Sequence, residues 1–131
     1  NWKNTTITNN QFTDIGVKNK RDTNTARHAI AGGGVIGVTI TNNTFTRVAR
    51  SVIYFRRTAN NCTGSQYYPV MVYVTEQELE AMKSNEVIDC DRDVSYSNYD
   101  VLLFGGDGER SRENVYGMDL QTKTIFSKGN Y

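Results

Sequence analysis

The chain has 131 residues, enough for one domain around one core. Its 15 Lys and Arg against 14 Asp and Glu leave a net charge of +1, which lacks the basic excess that marks a nucleic-acid partner. No apolar run approaches the roughly 20 residues of a membrane span, and the opening Asn-Trp-Lys is not signal-like, so the chain reads as processed or cut from something longer.

The first element is "TTITNNQFTDI" (5–15), and it returns as "VTITNNTFTRV" (38–48) with seven of eleven positions identical at an offset of 33 residues. A repeat of that length marks a solenoid, in which each unit covers the apolar face of the one before. Thr-Ile-Thr alternation and β-branched and aromatic residues predict strands rather than helix. The paired asparagines predict a corner, because Asn tolerates the left-handed backbone region and bonds to nearby backbone. Asn9 and Asn42 are expected to stack and bond to each other there. Phe12 and Phe45 then point inward, followed by Ile15 and Val48 three residues later.

Between the copies, "VKNKRDTNTARH" (17–28) is polar and loop-like, and "GGGVIGV" (32–38) has no dinucleotide-binding spacing but suits a tight backbone approach into the second copy. After it, "SVIYFRR" (51–57) predicts a strand with Ile53 and Phe55 inward and Val52, Tyr54 and Arg56 outward. In "VMVYV" (70–74) the same alternation exposes Met71 and Tyr73. Thr75 and Glu78 stand in capping-box spacing and predict a short helix over 75–84. A looser third copy, "SNEVIDC" (84–90), puts Asn85 at the corner and Val87 in the aromatic's place. "FGGDGERSREN" (104–114) is a turn rich in Gly and charge, and "ENVYGMDL" (113–120) is a faint fourth copy.

Coils that read Ile-x-Asn-Asn-x-Phe resemble those of the right-handed parallel β-helix, the pectate-lyase-like superfamily, over about residues 2–16 and 35–57. The resemblance implies an all-β fold of about three to four coils with loop insertions, residues 1–131 forming one segment of a larger β-helix or assembly. The bland alternative is an antiparallel sandwich with two coincidentally similar strands. A core-type repeat begins within the first five residues with no capping helix before it. The expectation is therefore a homo-oligomer or contiguous β-helix chain that covers this end. The resemblance further implies a secreted or virion-surface protein that binds or cleaves polysaccharide by lyase or glycosidase chemistry. A non-catalytic structural or adhesive module that assembles with other chains is the competing expectation.

In proteins of that kind sugars lie along one parallel sheet. Tyr54 and Tyr73 would then stack on sugar rings, Arg56 with Arg57 beside it would hold a carboxylate, and His28, the single histidine, would carry a proton. Exposed Tyr and Arg that merely stabilise a sheet are the plain alternative. In "DCDRDVSYSNYD" (89–100), Asp89, Asp91, Asp93 and Asp100 fall at positions 1, 3, 5 and 12 of a loop spaced like a calcium-binding EF-hand. Val94 stands where that loop needs Gly, and Asp100 is shorter than its usual Glu, so a solvated turn competes with Ca²⁺ binding. The same acids have the chemistry of a glycosidase pair. Cys62 and Cys90 are a candidate disulfide or two ordinary small residues, and sequons at Asn4, Asn42 and Asn61 are acceptor patterns only.

Overall fold

The computed structural model describes residues 2–16, 28–49, 51–56, 58–61, 67–70, 72–90, 100–105 and 114–128; for 58–61, 67–70, 104–105, 114–115 and 127–128 it describes the backbone alone. The fold is all-β with one short helix. Three strands open the chain, β1 (Trp2–Thr8), β2 (Gln11–Ile15) and β3 (Ile30–Gly33). The next three, β4 (Val35–Thr41), β5 (Thr44–Val48) and β6 (Ile53–Arg56), each lie parallel to their counterpart in the first set. The register matches the repeat, with Ile7 paired to Ile40 and Phe12 to Phe45, and outside the repeat Ile30 pairs with Ile53.

A hairpin of β7 (Thr58–Asn61) and β8 (Tyr67–Val70) interrupts the pattern. A third pass follows with β9 (Val72–Tyr73), β10 (Glu86–Ile88) and β11 (Val101–Gly105). These extend the three sheets in parallel, giving orders β1-β4-β9, β2-β5-β10 and β3-β6-β11. The third copy at 84–90 thus takes its expected place, with Val87 opposite Phe45.

The expected fourth copy does not. Residues Asn114–Asp119 form β12, which runs antiparallel to β11 and is followed by an antiparallel β13 (Thr124–Lys128). Antiparallel pairing needs no crossover, so β12 lies directly beside β11 as a meander, and the Asp119–Lys123 turn sends the chain back once more into β13. Asp119 accepts from the N–H groups of Gln121 and Thr122 in that turn, and Lys123 takes φ 57°.

In the third pass a helix replaces most of the first strand. Helix α1 (Glu76–Ala81) is capped by Thr75, whose hydroxyl accepts from the Glu78 N–H at 3.1 Å, and it runs into a 3-10 turn at Met82–Ser84. Glu78 does not reach back to the cap. Its carboxylate instead accepts from the Val38 N–H at 3.3 Å, and the Ser84 hydroxyl accepts from the Asn42 N–H at 3.0 Å. Side chains of this segment therefore satisfy one donor of β4 and the donor of the corner residue just after it. Leu79 and Met82 are the residues it buries.

Between the sheets lie Val38, Ile40, Phe45, Val48, Val52, Ile53, Phe55, Val101 and Met118, all essentially inaccessible. Val52, expected outside, belongs to this core because it sits in the bend before β6, out of the strand's alternation. Phe12 and Phe45 stack 4.9 Å apart and 9° from parallel. Trp2 packs edge-on against Phe55 at 5.1 Å and lies over Gly32, where a Cβ would come within 2.8 Å of its indole nitrogen. Hence the close approach read from the glycine run is a seat for Trp2.

At the Asn-Asn corner the two asparagines divide the labour, and not as expected. Asn9 and Asn42 supply the left-handed backbone, at φ 59° and 56°. The ladder consists of the second residues: Asn43 Oδ1 accepts from Asn10 N and Nδ2 at 2.9 and 3.2 Å, and Asn85 Oδ1 accepts from Asn43 N and Nδ2 at 3.0 Å each. Asn43 and Asn85 are buried, so each amide satisfies backbone that water does not reach.

Candidate functional site

Strand β6 alternates as expected, with Ile53 and Phe55 in the core and Tyr54 and Arg56 on the outer face. Across the sheet, Ala31 and Leu102 flank Tyr54, while Gly33 and Phe104 are opposite Arg56. The small residues on the β3 side leave room for a ring to lie over Tyr54. His28 takes that room: its imidazole is parallel to the phenol within 3°, at a centroid separation of 4.2 Å. The His28 Nδ1–H donates to the Ser51 carbonyl at 2.8 Å. A carbonyl only accepts, so the proton sits on Nδ1, and in the neutral ring Nε2 carries the lone pair.

His28, Tyr54 and Arg56 are thus brought to one face of one sheet. Tyr73 is not. It lies on β9 beside Ile36 of β4, both strongly exposed at 56% and 50%, with Lys3 next in the row. The β7–β8 hairpin consumes the residues after β6, so 72–73 begin the third pass in the first sheet. In the sheet of Tyr54 the corresponding residue is Leu102. Tyr54 and Tyr73 therefore do not form one sugar platform. Arg57 lies outside the described residues.

The acidic stretch divides too. Asp89 is exposed at the end of β10 with φ 50°, and Asp91 and Asp93 lie outside the described residues. Asp100 is 1% exposed, and its Oδ2 accepts from the Leu120 N–H at 2.9 Å. Its backbone joins two neighbours, accepting from Ile53 N and donating to Met118 O, both at 3.0 Å. Asp100 thereby ties β6 and β12 to the start of β11. Among the described residues no three of His, Cys, Asp and Glu converge as a metal site. Cys90 is half-buried with its sulfur 3.4 Å from the Phe45 carbonyl, whereas Cys62 lies outside the described residues.

A second charged feature runs along the sheet of β2, β5 and β10. Asp14, Arg47 and Asp89 each follow the inward residue of their strand by two, and all three adopt left-handed backbone, φ 59°, 52° and 50°. Arg47 holds Asp14 in a two-pronged pair through Nε and Nη2, the latter at 3.1 Å. Its hydrogen bond lowers the Asp14 pKa below the ordinary 3.8; desolvation opposes this, and the Arg47 charge adds a smaller lowering. The Arg47 pKa rises through the Asp14 hydrogen bond and charge, and Asp89 adds to the rise. The signal for this column was present in the aligned repeats as Asp14 over Arg47, at a position where the copies differ.

A cavity of about 190 Å³ opens between β9, α1 and β11, lined by Val72, Val74, Glu76, Leu79, Leu103 and Tyr116. Its walls are mostly apolar and bring no acid–base pair together. No protein-family model matches this chain, and no curated protein or solved structure is significantly similar to it, so what the site does rests on its own residues.

Proposed function

We propose that the chain is a segment of a right-handed parallel β-helix of the pectate-lyase-like kind, extracellular in its native setting, that binds an acidic polysaccharide at the outer face of β3 and β6. Three sheets extended in parallel by successive passes support the architecture. The single observation that carries the function is the His28–Tyr54 stack with Arg56 on the same face. A planar aromatic surface suits the apolar face of a sugar ring, the guanidinium suits a uronate carboxylate, and a basic Nε2 suits proton removal. Binding comes first in this reading, and cleavage by lyase or glycosidase chemistry is its stronger form.

Titration with polygalacturonate, alginate and a neutral glucan tests it. Saturable binding of a polyuronate, weakened about tenfold or more by Arg56→Ala, is the expected result. Release of unsaturated or reducing ends, lost in His28→Ala, identifies the catalytic form. Equal, unsaturable responses to all three polymers sink the proposal. The second reading, a non-catalytic module that assembles with other chains, is favoured by the exposed Ile36–Tyr73 pair on β1-β4-β9. Under that reading Tyr73→Ser changes the mass in solution and no polymer binds.

A further inference from the structure

The outer row of the sheet that carries Tyr54 runs Ala31, Tyr54, Leu102, Gly117 and Phe126 from β3 to β13, one residue per strand. Paired residues share a face, so this row lies opposite the inward Ile53, Phe55, Val101 and Leu103. Accessibility changes sharply along it. Ala31 is exposed and Tyr54 half-buried, but Leu102 is 0% exposed and Gly117 is buried. Leu102 nevertheless stands apart from the core cluster that holds its neighbours Val101 and Leu103. The outer face is therefore covered at β11 and β12 and open over β3. Along β6 the approach is also closed on one side: Ser51 and Val52, before the strand, are 1% and 0% exposed, whereas Arg56, beyond Tyr54, is half-buried.

We propose that the sugar site is one-ended: it takes the terminal ring of an acidic polysaccharide rather than a stretch within the chain. This deepens the polyuronate reading above and rests on it. A polymer gripped in its middle leaves a site in two opposite directions. Here a ring on the His28–Tyr54 stack meets covered surface toward Leu102 and toward Ser51. Toward β3, one strand spacing of roughly 4.8 Å away, Ala31 and Gly33 are small and leave a path. Arg56 stands beside Gly33 in the next outer row, where it can hold a carboxylate of the departing chain. The closure lies on the outer face, at right angles to the sheet's edges, so it does not depend on what pairs with β3 or β13.

Calorimetric titration of the intact chain with a short oligogalacturonate and with long polygalacturonate tests it. Half-saturation should coincide for the two when concentration is counted as chains, so that per sugar residue the polymer binds more weakly in proportion to its length. Coincidence per sugar residue means mid-chain binding and overturns the one-ended site while leaving the sugar reading intact. No saturable binding of either overturns both. Altering the ends gives a second measure: reduction of the reducing-end ring to an open alditol, or a double bond introduced into the ring at the other end, should weaken the oligomer about tenfold in one of the two cases. No loss in either case overturns the proposal. Ala31→Glu should weaken the oligomer about tenfold by setting a like charge in the path, and Ala31→Gln, of the same size, should weaken it less and guards against a folding defect. Unchanged affinity in Ala31→Glu places the chain elsewhere and likewise overturns it.

Discussion

Asn43 receives two hydrogen bonds from Asn10 through one oxygen, and Asn42, its neighbour in sequence, takes no part in that exchange. The two adjacent asparagines therefore respond oppositely to substitution. Asn43→Ala takes the acceptor from the Asn10 N–H and the amide donor from the Ile7 carbonyl and the buried Asn85 Oδ1, and is expected to lower stability by about 1–3 kcal/mol. Asn42→Gly keeps the left-handed backbone accessible and should change it by less than about 0.5 kcal/mol. Urea unfolding midpoints of the two variants measure the difference, and equal losses would remove the ladder from the account.

The inaccessible Phe45 sets a second expectation. Phe45→Ala should cost about 3–5 kcal/mol, because it opens a cavity beneath Phe12 as well as removing a buried ring. Phe12→Ala, at the half-buried end of the same stack, should cost clearly less. Denaturant titration of both variants tests the ranking.

Three features of this stack were legible in the repeat: the strands, their parallel register and the inward phenylalanines all follow from aligning 5–15 with 38–48. The hairpin at 58–70 was not legible. Its residues alternate like any strand, and only non-local pairing decides that β8 folds back on β7 while β9 moves to the first sheet. That shift explains why Tyr73 was grouped with Tyr54. Likewise "ENVYGMDL" resembles the earlier copies, but β12 pairs antiparallel with both β11 and β13, a choice of non-local pairing that the phrase itself does not encode. At the candidate site, outward Tyr54 and Arg56 were legible from alternation, whereas the stacking of His28 depends on the Ser51 carbonyl, which no side-chain pattern encodes.

Acid sensitivity should concentrate at Asp14. Its folded pKa lies below its ordinary 3.8, so its contribution is fully present above that value and fades as pH falls through the depressed one. The melting temperature of Asp14→Asn should therefore lie below that of the wild type near neutrality, with the gap closing in strong acid. A gap independent of pH would show that Arg47 does not act through the charge.

Gly32 yields a spectroscopic prediction, since Trp2 is the sole tryptophan. Gly32→Ala places a methyl group against the indole, and Trp2, wedged by Phe55, has to move. The expected result is a red-shifted emission maximum with a stability loss of about 1–3 kcal/mol. Unchanged emission would mean that the indole is not seated over Gly32.

The helix that stands in for a strand limits how copies of this molecule can grow. Glu78 occupies a donor on β4 and Ser84 the Asn42 donor just beyond it, so the far side of that sheet offers β9, two residues long, as its strand edge. The near side offers the seven-residue β1. A head-to-tail contact joins the two different ends of neighbouring copies, so through this sheet it would set a two-residue strand against a seven-residue one and leave most of the longer edge unpaired. Pairing between copies through this sheet is thereby limited to a two-residue match, which disfavours the fibre that two long, equal edges would invite.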